Sequence, residues 1–494
     1  MKLKKPVLWI IFGVVLLSFA ALAVWASSYT PKTPRASDAW SRGQIIGQTP
    51  IKRRVALQSA LDGGVFLVWP NLSGRLELAR IGVDGEVLLS RTLPLDTQKP
   101  RDPQLQVGLD GRLHLLWREE GEPPASVRYA VLEADGIPVG QPQVISGPAS
   151  RVLEAPRLVR AKDRLHALWA EEAGVYWAVL GQEGSTLEGA TFLIPGGERL
   201  VAQMDDEGRL HLVWQQDLGV NTRGIYYAVL DLDEGKLGDP EEITQLVLGG
   251  RLRLEEVALG LSPDAGYVFW SDYDQGFDRY RFQYAFFPLD LPQQKQVSQW
   301  RLKLGDGPPA ISPPDGQQTP LRVALTERML GSRQTIELQI AVITTGQGDA
   351  EEQVVTASTQ ASMKPVLIAD ERSHLHLAWL DSGGFGRYRV VYASTAPEVM
   401  EKYNTPSLWD AANAVFGNVF RLSTVLVGLV ASFSMWAVVP LIGLVVYHLV
   451  TSEETLDTVR SRVALGMVLA VEVALTFALP PRIGVEAAWP ALRW

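Results

Sequence analysis

Short apolar runs recur through the middle of the chain, each alternating with polar positions and each closed by a turn residue. Residues 155–194 show the unit plainly. Positions 155–161 alternate, Asp163 supplies a turn, 165–169 (LHALW) and 175–180 (VYWAVL) are apolar runs, Gly184 opens a second turn, and 191–194 form a last short run. A period of two with Val, Leu, Tyr and Trp between Gly and Asp turns predicts four antiparallel strands. The layout returns as Asp110-Gly111 before RLHLLW, Glu207-Gly208 before RLHLVW, and HLHLAW over 374–379.

A bulky residue followed by Ala marks seven copies, at Ala79, Ala130, Ala178, Ala228, Ala285, Ala341 and Ala393, spaced 48 to 57 residues apart. A second landmark precedes each: Trp69, Trp117, Trp169, Trp214, Trp270, Leu325 and Trp379. One four-stranded sheet cannot cover both of its faces, whereas seven arranged radially can. The fold class is therefore all-β, a seven-bladed β-propeller of four-stranded antiparallel blades over residues 28–396. Copy one lacks an aromatic before its Ala and copy six lacks the Trp, so a sixfold ring with a degenerate extra segment is the alternative. The last blade is one strand short after Ala393. Residues 43–48 (GQIIGQ) resemble the outer-strand segment 141–146 (QPQVIS) and are expected to complete it, which leaves no open sheet edge.

The two ends read differently. Residues 6–26 are almost wholly apolar behind Lys2, Lys4 and Lys5, with Trp9 and Trp25 near the margins. They are long enough to span a bilayer, and the positive flank places the repeats outside the cytoplasm. The rival is a cleaved signal peptide ending at Val24-Trp25-Ala26. The sequence thus predicts a signal-anchor over 1–27 and a juxtamembrane amphipathic helix over 397–421. Transmembrane helices follow over 422–450, tilted or kinked at Pro440, and over 463–480, joined by a loop at 451–462, with a tail over 481–494. Glu472 lies inside the last block, where a charge is costly and calls for a helix partner, another subunit or water. The expected location is a multi-pass cell membrane protein with the propeller extracytoplasmic.

Composition narrows the chemistry. A net charge of −9 without a basic tract argues against nucleic acid. The absence of Cys removes disulfides, thiolate metal sites and thiol catalysis. No cofactor or metal is expected. Four histidines, His114, His166, His211 and His376, share one repeat position, but they fall in different blades and read as buried hydrogen-bonding groups. A second register lies two residues beyond the Trp position: Asn71, Glu119, Glu171, Gln216, Asp272, Glu327 and Asp381. It reads as an acidic rim over which cations, basic peptides or a basic partner surface would be drawn by Coulomb attraction. The alternative reading is that each acid caps a turn or pairs with an arginine.

The repeats over roughly 40–395 resemble the sialidase-like and related bacterial propellers. The resemblance implies fold alone. Ser262-Pro263-Asp264-Ala265-Gly266-Tyr267-Val268-Phe269 is the nearest string to a sialidase Asp box and sits before a second strand, the wrong place for one. No catalytic residue maps across. There is no GxSxG, Walker loop, HExxH or Rossmann fingerprint. The functional expectation is a membrane-anchored module for protein binding or assembly, or an accessory subunit of a membrane complex, without catalysis of its own. The alternative is a surface glycan-binding or glycoside-hydrolase propeller.

Overall fold

The computed structural model describes residues 37–405, apart from 122–124, 148–150, 162, 248–251, 276–278, 301–310, 315–316, 331–335, 346–350, 357 and 359, together with 442, 445–447, 449–451 and 458–478. Two units are distinct, residues 1–404 and 405–494.

The first unit is a ring of seven antiparallel sheets. The inner strands, in blade order, are Ala56–Ser59, Pro100–Val107, Arg157–Ala161, Gly197–Met204, Leu252–Leu261, Ile311–Ser312 and Ser362–Ala369. Each pairs with a second strand that carries the Trp landmark, which pairs in turn with a third strand that carries the Ala. Blade six keeps this order with Leu325 in the Trp position, so the ring is sevenfold. The outer strand of blade four is broken into Lys236–Leu237 and Glu241–Val247.

The repeat landmarks build the joints between blades. All six Trp residues are fully covered, as are Ala79, Ala285, Ala341 and Ala393. Seven apolar clusters hold the core, and each draws its members from two adjacent blades. Covering a large side chain is worth about 1.5–3 kcal/mol relative to exposure. The joints therefore carry the stability that no disulfide supplies.

Blade seven is closed by the strand Gln44–Thr49, which pairs antiparallel with Arg387–Ser394. This strand includes residues 44–48 of the segment 43–48. Gly47 lies where this strand meets blade one: a Cβ there would stand 2.3 Å from Trp69. A short helix, α1 (Pro397–Tyr403), begins with Pro, has Glu398 in its first turn and Lys402 in its last, and seals the joint. Val399 is fully buried in the cluster shared by blades one and seven. Gly85 permits the contact: its φ is +81°, and a Cβ would lie 2.9 Å from both Val399 and Tyr403. Lys402 Nζ reaches Asp84 at 2.6 Å and Glu86 at 3.1 Å, and the Tyr403 hydroxyl donates to the Gly85 carbonyl at 3.1 Å. Asn404 then grips the incoming chain, accepting from Arg42 N at 2.9 Å and donating to the Trp40 carbonyl at 3.0 Å.

In the second unit, the helix α2 (Val459–Ala478) occupies most of the third apolar block and contains Glu472. No helix among the described residues is long and apolar enough to cross a membrane. The expected transmembrane helices and multi-pass membrane location are corrected accordingly. Arg460 and Arg462 in its first turn, with Glu472 further on, bring into this helix charges that hydrocarbon penalises. Residues 1–27, and all but a few of 422–450, lie outside the described residues.

Candidate polar mouth of the axial channel

The seven register residues, five acids and two amides, do not form an exposed crown. Glu119, Glu171, Asp272, Glu327 and Asp381 are all buried, and Asn71 and Gln216 are half-buried. Residues i and i+2 of a strand share a face, so an acid two places beyond a buried Trp is carried inward with it. The indole N–H groups of Trp117, Trp169 and Trp379 donate to Glu119, Glu171 and Asp381 at 2.9, 2.7 and 2.8 Å. Glu119 also accepts from the N–H of Gln98 and Lys99, at 2.9 and 2.5 Å, and so fixes the loop arriving from blade one. Asp381 accepts from Ser362 Oγ at 2.6 Å. Burial pushes its carboxyl up to about 6. Asp272 takes Arg281 and Gln283, at 2.6 and 2.7 Å. Asn71 Oδ1 accepts from Ser73 N and Arg75 N in its own turn. Gln216 donates to the Pro195 carbonyl at 3.5 Å. The acids thus support the loops that feed the inner strands.

The repeated histidines are internal braces at the opposite end of the blades. His114, His211 and His376 each bond the hydroxyl of a third-strand Tyr, Tyr129, Tyr227 or Tyr392, at 2.7 Å. His166 accepts from Trp177 Nε1 at 3.1 Å. Burial lowers His114 and His166 to about 4. His211 and His376 are also lowered by burial, against the pull of Asp205 and Asp370.

Charge collects instead where the inner strands begin, at one end of the axial channel. The residue just before the position opposite the Trp landmark is Arg54, Asp102, Ala155, Arg199 and Glu256 in blades one to five and Lys364 in blade seven. The inner strands of blades two, four and seven bulge there, and Asp102, Arg199 and Lys364 take φ of +50°, +49° and +54°. A left-handed non-Gly residue costs about 1–3 kcal/mol, and such strain gathers at sites of function. Bulges re-aim side chains, here charged ones.

The side chains at this mouth tie the ring across its axis. Arg54 Nη2 of blade one donates to Glu256 Oε1 of blade five, and to the Ile311 carbonyl of blade six at 2.6 Å. Lys364 Nζ of blade seven stands 3.9 Å from Glu256 Oε2. Asp102 lies between Arg53, at 3.2 Å, and Arg118, at 3.4 Å. Arg199 donates to the Glu255 carbonyl, and Arg157 Nε to that of Leu200 at 3.0 Å. Burial raises the Glu154 carboxyl, only partly offset by Arg199 and Arg157 and reinforced by Glu198. Two covered atoms, Arg54 Nε and Glu256 Oε2, have no hydrogen-bond partner among the described residues. Below the mouth a cavity of about 290 Å³ runs down the channel.

No sequence signal marked Arg54 and Glu256, because their meeting depends on ring closure over 202 residues. Asp102-Pro103 and Lys364-Pro365 held a partial one, since a residue before Pro is turned away from the right-handed helical region.

No family model and no curated protein matches the chain. Solved structures similar to it include a polysaccharide lyase, an ulvan lyase bound to an oligosaccharide, at 9% identity and TM-score 0.49, over 69% of this chain and 95% of that one. The sialidase of Trypanosoma rangeli in complex with sialic acid aligns at 9% identity and TM-score 0.39, over 73% and 60%. The endo-arabinase of Bacteroides thetaiotaomicron aligns at 13% and 0.31, over 55% and 98%. The class established by the seven sheets and their strand order is a seven-bladed β-propeller.

Proposed function

We propose that this propeller binds glycans at the charged mouth of its channel. The observation that carries the reading is the Arg54–Glu256 bridge and its two atoms without a hydrogen bond among the described residues. A covered polar group without a partner costs about 1–3 kcal/mol. Nε is a donor and Oε2 an acceptor, and a sugar hydroxyl is both at once. The neighbouring guanidinium and carboxylate groups have planar pairs of donors or acceptors, which suit adjacent hydroxyls on one sugar ring. A small set of polar groups converging on a concave site is the usual form of a small-ligand pocket.

Screening the purified chain against neutral and acidic oligosaccharides, followed by calorimetry, tests the reading. Arg54→Ala and Glu256→Gln should each weaken binding about tenfold or more, the worth of one charge-assisted hydrogen bond, when measured well below the melting temperature, which the loss of the Arg54 bonds should lower. A panel without a binder, or binding indifferent to both substitutions, overturns it.

A second reading, a protein-docking module, is favoured by Phe385 and Val220. Both are fully exposed at hairpin tips on the mouth side of blades seven and four. Phe385→Ser would then abolish partner capture and leave oligosaccharide binding intact.

A further inference from the structure

We infer that the mouth takes the end of a glycan chain, with one terminal unit entering the axial channel, and does not hold an internal stretch; this rests on the glycan reading above. The inner strands of seven blades surround the channel, and the strand Gln44–Thr49 closes the ring. An axial shaft of this kind admits an end, whereas a chain held by its middle needs a cleft open on both sides. The cavity of about 290 Å³ stands at the lower end of the size range of small-molecule pockets, ~300–1,000 Å³. It has room for one small unit.

The depth of the shaft carries the second observation. Gln203 lines the cavity four residues beyond Arg199 on the same inner strand, past the bulge, and so roughly 10 Å deeper at about 3.3 Å per paired residue. It is only 4% exposed. Its Nε2 donates to the Pro314 carbonyl at 3.0 Å, while its Oε1 has no hydrogen-bond partner among the described residues. A buried acceptor without a donor is a standing cost, which a hydroxyl of the guest removes. Gln58, Gln104 and Gln106 add amides, and no acidic residue lines the cavity among those described. A polyhydroxylated unit, neutral or acidic, suits that lining, and a cationic one does not.

Entry requires the Arg54–Glu256 bridge to part, because it crosses the upper end of the shaft. The bridge is poised to do so, since the incoming hydroxyl satisfies the two atoms that the closed pair leaves without a hydrogen bond.

The experiment uses the full chain and whichever oligosaccharide the panel identifies. Its length ladder, its cyclic counterpart and the same sugar immobilised through either end are compared. A mono- or disaccharide should compete fully, and affinity should reach a plateau after the first few units. The cyclic form, and the form tethered by the recognised end, should fail to bind. Gln203→Leu should lower affinity about tenfold, the worth of one buried hydrogen bond, with unchanged melting. Should that variant fold poorly, Gln58→Leu gives the same readout. Binding of the cyclic form, affinity that climbs with every added unit, or wild-type affinity in the Gln203 and Gln58 variants overturns chain-end recognition while the glycan reading stands. No oligosaccharide binding at all overturns both.

Discussion

Trp379 donates its indole N–H to Asp381 at 2.8 Å, two positions further along the same strand. The pair joins a blade interface to the loop feeding an inner strand, since Asp381 also accepts from Ser362. Its carboxylate is costly in the folded state, where burial lifts the group from 3.8 to about 6. A carboxyl raised on folding favours the native state below its unfolded value, and that contribution is lost as pH rises through the folded value. Asp381→Asn keeps the acceptor and removes the charge. Its melting temperature should equal or exceed that of the wild type at pH 7 and lose the advantage by pH 4. Asp381→Ala leaves two donors unpaired and should cost about 1–3 kcal/mol in urea titration.

The histidine braces act in the opposite direction. His114 and His166 fall from 6.5 to about 4 because burial penalises the imidazolium. A depressed group stabilises the fold above its unfolded value and withdraws that stabilisation as pH falls through the folded one. The wild type should therefore lose stability between pH 6.5 and 4, seen as a falling midpoint in pH-dependent melting. His114→Gln should flatten part of that slope.

Closure of the ring depends on the absence of a side chain at Gly47. A Cβ would lie 2.3 Å from Trp69, whose indole donates to the Gln48 carbonyl at 3.2 Å. Gly47→Val should overpack the joint and cost about 1–3 kcal/mol. Limited proteolysis should then cut within residues 41–50 before any other site.

Asn404 ties the start of the ring to its end through the backbones of Arg42 and Trp40. Asn404→Ala removes both bonds and should lower stability by about 1–2 kcal/mol. Hydrogen exchange should rise first at residues 40–49, while the inner strands of blades two to five stay protected.

Much of the ring is legible in the sequence, because the information is local and repeated. Trp117, Tyr129-Ala130 and Asp110-Gly111 occupy fixed places within one copy, and seven copies average out the irregular blade six. The closing strand was legible because 43–48 matched an outer strand and blade seven lacked one. The acid register is legible as a set of residues, and of its two readings the local one fits: Glu119 takes backbone N–H groups and Asp272 takes Arg281. Glu119 sits two places from the buried Trp117 and shares its face, so the alternation itself pointed inward. A carboxylate is tolerated in that buried position when indole and amide N–H groups surround it. The mouth had no comparable trace. Arg54 and Glu256 are unremarkable in their own copies, and only three-dimensional closure makes them neighbours. The apolar block over 463–480 matched a membrane span by length and hydropathy, yet Arg460, Arg462 and Glu472 bear on the helix that forms there.

The strand Gln44–Thr49 and its partner Arg387–Ser394 run antiparallel, and the flanking segments at Trp40 and Asn404 leave side by side. Tension applied through the two flanks would consequently load the hydrogen bonds of this seam one after another, in the manner of a zipper, and not all together as in shear. Under a mechanical load the circle should give way at its seam while each blade keeps its own shape, and it should reseal when the load is released.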